Sequence, residues 1–289
     1  MRTRSVGERL FTIFNYFILS VFGMITIFPI LHVIARSLSS AKAISSGKVF
    51  IYPLDVTLTN YYSVLQDVSV WHAFMISVII TVGGTFINLV LTSSMAYPLS
   101  RREYRGSSAV MLMVLFVLIF SAPLIPNYLL IRSLGMINTL WALVIPTAIS
   151  AFNLFVMRSF FSSIPNELIE SARIDGCSEA RTLWSIVIPL SKPVMATMGL
   201  FYAVHHWNTY SAAIYYINNS SLYPLQVKLA QFVIKEDASI TPVDDVLLTV
   251  SQEGIKMAVI VIAALPLIIV YPFLQRYFVK GLMIGSIKS

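Results

Sequence analysis

Six stretches of this chain each approach the ~20 apolar residues that a helix needs to cross a bilayer. They run over residues 10–34, 71–99, 109–131, 140–157, 194–216 and 255–278, and their middles carry no Asp, Glu, Lys or Arg. About a quarter of the residues in a soluble domain are charged. Here 11% of 289 residues are charged and 57% hydrophobic, and the mean hydropathy is +0.80. A water-soluble fold would be left with almost no polar surface, whereas lipid solvates the outside of an apolar bundle. The expected fold is an all-α membrane protein, a single domain over residues 1–289 with about six transmembrane helices. Pro29, Gly83, Gly84, Pro123, Pro126, Pro146 and Pro266 fall within these stretches, where they mark kinks or close helix packing. The first stretch is longer than the apolar core of a signal peptide and is not followed by a small-residue cleavage site, so it reads as a retained span.

The net charge of +7 does not point to nucleic acid, because the basic residues flank the apolar stretches and do not line one face. With the N-terminus in the cytoplasm, 13 of the 20 Lys and Arg residues fall on inside segments, and the inside loops are shorter than the two long outside segments. The positive-inside rule therefore puts both termini in the cytoplasm. Two outside segments are long, residues 35–70 and 217–254; the second carries Glu236, Asp237, Asp244, Asp245 and Glu253. The single cysteine, Cys177, excludes an intrachain disulfide.

Ion-coupled transporters need ionisable groups at membrane depth. The only titratable candidates within a span are His205 and His206. The pair reads as one histidine hydrogen-bonded to neighbouring helices and one facing a polar cavity, in preference to a proton relay. No G-x-x-x-x-G-K-[ST] loop occurs, nor any nucleophile–base or H-E-x-x-H spacing. An enzyme is not expected. Either the protein is a passive pore or another subunit supplies the energy.

The inside segment over residues 162–193 carries the most information. Pro165 suits a first helical turn, and Glu167 then lies near the positive helix end. Gly176 is placed to end this short helix in the left-handed conformation. Ser178 can cap a second helix, which Pro189 would stop. Leu168, Ala172, Leu183, Trp184 and Ile188 supply apolar contacts. A helix lying in the headgroups would want Lys and Arg on its polar face. This one offers Glu167, Glu170, Asp175 and Glu179, which suit a basic groove on a protein better than an anionic leaflet.

At Glu170, Ser171 and Ala172, then Asp175, Gly176 and Cys177, and finally Ile186 to Pro189, the segment resembles the EAA loop of bacterial ABC importer membrane subunits. Ser171 and Cys177 stand where alanines are usual, and both are small. Trp207 and Asn208, the run Tyr223 to Gln226, and the ending from Gln275 resemble the carbohydrate-uptake branch, nearest to the second permease of the maltose type. The insertion around Glu236 to Asp245 is similar to relatives that serve larger or acidic oligosaccharides.

This resemblance implies the type I importer permease fold in the bacterial cytoplasmic (inner) membrane. It implies a coupling helix in which Glu170, Ser171, Ala172, Asp175 and Gly176 engage an ATPase subunit. The implied partners are a second homologous permease, two ATP-binding subunits that use ATP and Mg, and an extracytoplasmic solute-binding protein, with membrane lipid and a sugar substrate. This chain itself would bind no cofactor and no metal. Asn88, Asn153, Trp207, Asn208 and Tyr210 become candidates for the translocation path, and Asn218, Asn219 and Tyr223 for contact with the binding protein. The lysines of the tail, Lys280 and Lys288, are further candidates for ATPase contact. A self-contained channel, a permease for another solute class and a membrane scaffold are the competing readings; the acidic hinge has no purpose in the last.

Overall fold

The computed structural model describes residues 6–101, 103–120, 122–234 and 251–286. The charged insertion with Lys235, Glu236, Asp237, Asp244 and Asp245 lies outside the described residues, as do Arg2, Arg4, Arg102 and Lys288. Every regular element among the described residues is helical.

In chain order the helices are α1 (Val6–Ser37), α2 (Ala41–Ser45), α3 (Thr59–Gln66), α4 (Val68–Leu99), α5 (Ser107–Ile119), α6 (Leu124–Ser133), α7 (Trp141–Val144) and α8 (Ala151–Ser162). They continue with α9 (Asn166–Ile174), α10 (Glu179–Thr182), α11 (Ile188–Leu190), α12 (Lys192–Trp207), α13 (Ser211–Tyr216), α14 (Leu225–Ile234) and α15 (Gln252–Ser286). Three described helices are long and apolar enough to cross a membrane: Leu10–Ser37, Val68–Leu99 and Gln252–Val270. Three bent pairs meet the same requirement together, which makes six if each pair is one span.

The bends explain where the apolar stretches and the helices part company. The stretch over 109–131 stops at Ile119 and restarts after Pro123, which begins α6 from an extended conformation. The stretch over 140–157 is divided by a 3-10 turn, Ile145–Thr147, that contains Pro146, and α8 leaves it at 51°. The stretch over 194–216 is not one helix. α12 ends at Trp207, where Asn208 Nδ2 and Thr209 Oγ1 both donate back to carbonyls of their own last turn, Val204 and His205. Side chains that compete for the helix's own acceptors open its end without any proline. Pro189 does not stop the second loop helix as expected. A π turn over Leu183–Val187 shifts the hydrogen-bond register just ahead of it, and the 88° bend falls at Ser191.

The contacts divide the chain into two compact units. One holds the described residues up to Val70 together with those of 229–265. In it the buried Asn60 amide donates to the Ser37 and Ser39 carbonyls at 3.0 Å each, and Arg36 pairs with Glu253 at 2.6 Å. A small core of Ala35, Ala43, Ile44 and Val49 closes beneath α2. Most of α1 is exposed apolar surface, from Leu10 to Leu31. In water that would be untenable; in a bilayer it is the expected outer surface.

The other unit holds the described residues of 71–228 and those from Pro266 onward. Its two apolar clusters lie at opposite ends of α4. Ile76 and Ile80 join one cluster with Leu143, Ala213 and Ile217. Ala96, Tyr97 and Leu99 join the other with Leu154, Phe161, Ile169, Val187 and Met198. Between them, Asn88 and Thr92 form a polar waist. Asn88 Nδ2 donates to the Thr147 carbonyl at 3.3 Å and lies 3.1 Å from Nε2 of the buried His206. Thr92 and Tyr202 share a 2.7 Å hydroxyl bond, and the Tyr202 hydroxyl accepts the Ser150 N–H at 3.0 Å. Two backbone groups at the break in the fourth stretch, the Thr147 carbonyl and the Ser150 N–H, are thereby bonded, as a nonpolar solvent favours.

Gly84 makes this waist possible. A Cβ there would come within 2.6 Å of His206 Nε2, whereas one at Gly83 would meet nothing within 4 Å. Gly84→Ala is therefore expected to lower stability by about 1–3 kcal/mol through overpacking. Gly83→Ala should be neutral or slightly stabilising, since alanine is the better helix former. Thermal unfolding of the two variants in detergent checks this.

Candidate functional site

α9 is a two-faced helix. Ile169 and Ala172 are buried in the core, while Glu167, Glu170, Ser171, Asp175 and Gly176 are exposed. Its C-terminus forms a Schellman motif: the Gly176 N–H donates to the Arg173 carbonyl at 3.0 Å and the Cys177 N–H to the Ala172 carbonyl at 2.9 Å. Gly176 takes φ = +79°, the left-handed conformation anticipated for it. Ser178 then caps α10 by accepting the Arg181 N–H. Pro165 occupies the N-cap of α9, one position before the first turn proper. Ser171 Oγ donates within the helix to the Leu168 carbonyl.

Two of the expected apolar contacts are corrected. Leu168 and Trp184 are exposed, 43% and 48%, and the buried positions are Ile169 and Val187. In α9 Ile169 takes the buried place expected of Leu168, three residues before the buried Ala172, and in the π turn Leu183 and Val187 are the buried positions while Trp184 faces outward. Ile174, which the sequence reading passed over, is 86% exposed at the end of α9 beside the hinge.

Arg173 ties the hinge to the membrane helices. Its guanidinium makes a fork to both oxygens of Glu103, at 3.0 and 2.7 Å, while Nε bonds Glu179 at 2.8 Å. Glu179 accepts the Tyr97 hydroxyl at 2.6 Å, and Arg101 lies over the Tyr97 ring at 5.2 Å. Arg101 and Arg158 in turn donate to the Phe161 and Leu99 carbonyls at 2.8 and 2.9 Å. The end of α4 and the hinge are thus joined by one run of charge-assisted bonds. Glu170 takes no part; among the described residues it has no ion pair. The Arg173 guanidinium holds the exposed Glu103 carboxyl below the usual carboxylate range.

The other candidates are scattered. Asn88 is sealed in the polar waist. Asn153 is 4% exposed and lines a cavity at the break before α8, and Trp207 is buried with its ring edge-on to Phe74 at 5.8 Å. Asn208 is exposed and caps its own helix; Tyr210, 37% exposed, precedes α13. The histidines divide as read: His206 is buried against Asn88, and His205 is exposed on the same cavity as Asn153. Asn218 and Asn219 lie in a turn held by Asn138 Oδ1, which accepts both their N–H groups at 2.6 and 3.1 Å. The Asn219 side chain caps the following 3-10 turn, and Tyr223 is half-buried against the Ile76 cluster. Asn138 has φ = +62°, and no pattern in the sequence singled it out.

The capped hinge thus stands at the end of a bundle of broken apolar helices. Residues 104–284 match the family described as "Binding-protein-dependent transport system inner membrane component", and the chain belongs to that family. It is 45% identical to Protein LplC of Bacillus subtilis (strain 168), over 97% of this chain and 96% of that protein. It is 42% identical to the polygalacturonan/rhamnogalacturonan transport system permease protein YtcP of the same organism, over 98% and 99% of the two chains. A crystal structure of a bacterial ABC transporter involved in the import of the acidic polysaccharide alginate superposes with a TM-score of 0.88 at 33% identity, covering 96% of this chain and 100% of that one. The fold is that of a type I ABC importer permease, as expected from the loop. Members of this family work with other permease, ATPase and binding-protein subunits.

Because the Glu103 carboxyl is depressed, its bond to Arg173 is fully formed above the ordinary glutamate value of about 4.3 and is lost as pH falls through the lowered one. Amide exchange of residues 173–179, expressed as a protection factor so that the intrinsic pH dependence of exchange is removed, should therefore be unchanged from pH 8 to 5 and lose protection only in more acid solution. Arg173→Lys, which loses the planar fork, should accelerate it severalfold at neutral pH.

Proposed function

We propose that this chain is one of two homologous permease subunits of an ATP-driven, binding-protein-dependent oligosaccharide importer in the bacterial inner membrane, with both termini in the cytoplasm. In this reading α9 is the coupling helix. Glu170, Ser171, Asp175 and Gly176 face a cleft on one of two ATPase subunits, which use ATP and Mg, and Ala172 anchors the helix to the bundle. The observation that carries the reading is an acidic side chain, Glu170, exposed and unpaired among the described residues, one turn before a rigid Schellman hinge. An arginine in a partner cleft would give it the charge-assisted bond it lacks within the chain.

The Arg173 fork would pass motion of α9 to the end of α4, so that closure of the two ATPases rocks the helices as a body. The turn at Asn218 and Asn219, with Tyr223, would meet the solute-binding protein outside. YtcP is named for polygalacturonan and rhamnogalacturonan transport and the solved transporter for import of the acidic polysaccharide alginate, and their similarity to this chain supports a sugar oligomer as substrate. The positive-inside distribution supports the orientation.

The test is reconstitution in proteoliposomes with the partner permease, the ATPases and the binding protein. The labelled probes are oligogalacturonides, alginate oligosaccharides and raffinose, with an amino acid as the non-sugar control. ATP-dependent accumulation of at least one sugar is expected, and none of the amino acid. Gly176→Pro removes both the positive φ and the N–H bonded to Arg173, and should abolish uptake while the spans stay folded. Glu170→Ala should weaken co-purification of the ATPases or uncouple hydrolysis from uptake. Full uptake by both variants, or uptake by this chain alone without ATP, overturns the coupling role.

A further inference from the structure

We propose that the cavity between the end of α4, the start of α5 and the turn from α8 into α9 is a site for a phosphoryl group, carried in the bilayer by the headgroup of an anionic lipid. The cavity is about 740 Å³, within the ~300–1,000 Å³ typical of small-molecule sites. Arg101 and Arg158 line it, together with Tyr104, Ser108 and the first residues of α5 and α9. None of Glu170, Ser171, Asp175 and Gly176 lines it, so the proposal stands apart from the coupling reading above.

The decisive observation is Arg101. It is 9% exposed, yet no carboxylate pairs with it among the described residues. Its Nη2 donates to the Phe161 carbonyl at 2.8 Å and its Nε to the Ser100 hydroxyl at 3.0 Å, and both acceptors are neutral. The acids of the neighbouring pocket, Glu103 and Glu179, are already held by Arg173. A cation buried this deeply without a counter-ion is costly. Arg158 brings a second one: its Nε is spent on the Leu99 carbonyl at 2.9 Å, and its terminal nitrogens have no partner among the described residues. Both helices that begin at the cavity, α5 after Gly106 and α9 after Pro165, start without a side-chain cap. Their first N–H groups add partial positive charge to that of the guanidiniums. One acid, Glu167, also lines the cavity and makes no ion pair among the described residues. The cations are in excess.

The chemistry of the lining selects the ligand, and its position selects the carrier. Two guanidiniums and two uncapped helix starts suit an anion with several acceptor oxygens, and a phosphoryl group matches the planar guanidinium fork. A neutral sugar would leave both arginines without a countercharge. The apolar span α4 ends at Leu99, and α5 runs from Ser107 straight into apolar sequence, so the cavity lies at the level where lipid headgroups begin. Farther along α5, Leu112, Met113 and Phe116 are 66%, 68% and 61% exposed. Acyl chains lying on that apolar surface would hold their phosphate at the mouth of the cavity. Tyr104, 45% exposed on the lining, belongs at the same depth, because a ring with a polar tip is favoured at the interface.

The test is native mass spectrometry of the full-length chain in a neutral detergent, with dioleoyl-phosphatidylglycerol and dioleoylglycerol as probes; the second has the same acyl chains and no phosphate. Equilibrium dialysis against radiolabelled inorganic phosphate tests the free anion. Phosphatidylglycerol should be retained in preference to dioleoylglycerol. Arg158→Gln should weaken that binding about tenfold, the effect of losing one charge-assisted bond. Ser108→Glu puts a carboxylate at the start of α5, where it favours the helix but repels phosphate, and should weaken binding as much. Glu167→Gln removes the competing acid and should tighten it severalfold. Arg181→Gln removes the same charge from the same loop region outside the cavity and should change nothing. Inorganic phosphate bound with this pattern of variants, and no preference between the lipids, would keep the phosphoryl site and assign it a soluble ligand. Equal retention of the two lipids with no phosphate bound, or equal losses in Arg158→Gln and Arg181→Gln, would overturn the site. If Arg158→Gln does not fold, wild-type binding by Ser108→Glu alone overturns it.

Discussion

A peptide group inside a bilayer has no water to turn to, so every interruption of a helix must find its own hydrogen-bond partners. This constraint organises the larger unit of the structure. The fourth apolar stretch is broken after Thr147, and the open carbonyl and N–H groups around the break are met by Asn88 and Tyr202 from two other helices. Those side chains are positioned by Thr92 and His206, and His206 fits only because residue 84 is glycine. A polar layer one side chain deep thus runs between two apolar clusters. Its polarity serves the broken helix first, and the cavity that opens beside it follows from the same break.

The hinge at Gly176 obeys a different economy. It lies outside the apolar spans, where water could satisfy its backbone, yet it is fully capped. The Schellman bonds and the Ser178 cap make residues 172–181 a stiff corner, and the Arg173 fork fastens that corner to the end of α4. Each of these exposed ion pairs taken alone contributes little to stability. Their value is geometric, because together they remove the freedom of α9 to swing independently of the bundle. A force applied to the exposed face of α9 is then a force on the helices.

Much of this was legible in the sequence. Long apolar stretches with charge-free middles pointed to an all-helical membrane protein, and the sequence around Gly176 specified both the left-handed turn and the cap, because only a few residue types do each job. The neighbouring histidines could be assigned different fates on general grounds. Register and breakage were harder. The end of α12 came from Asn208 and Thr209 bonding to their own helix, a local competition that apolar content does not report. Trp184 lies exposed within a π turn that no apolar pattern marks, and Asn138 gained its role only because a distant turn folds onto it. The candidate polar residues separated for the same reason. Asn88 and Asn153 look alike in the chain, but one has its donors met by a neighbouring helix and the other faces open space.

The void above Gly84 has a consequence for how such a chain can vary. The imidazole of His206 fills the room that a methyl group would take, and the same imidazole meets the amide that seals the broken fourth stretch. Glycine, histidine and asparagine at 84, 206 and 88 therefore form a unit in which no member has a free substitute. Drift at one position leaves either a collision or an orphaned dipole at the others. Viable sequences should change the three in concert or keep all of them, so departures at this trio would mark the point where one lineage adopted a different way of crossing its helices.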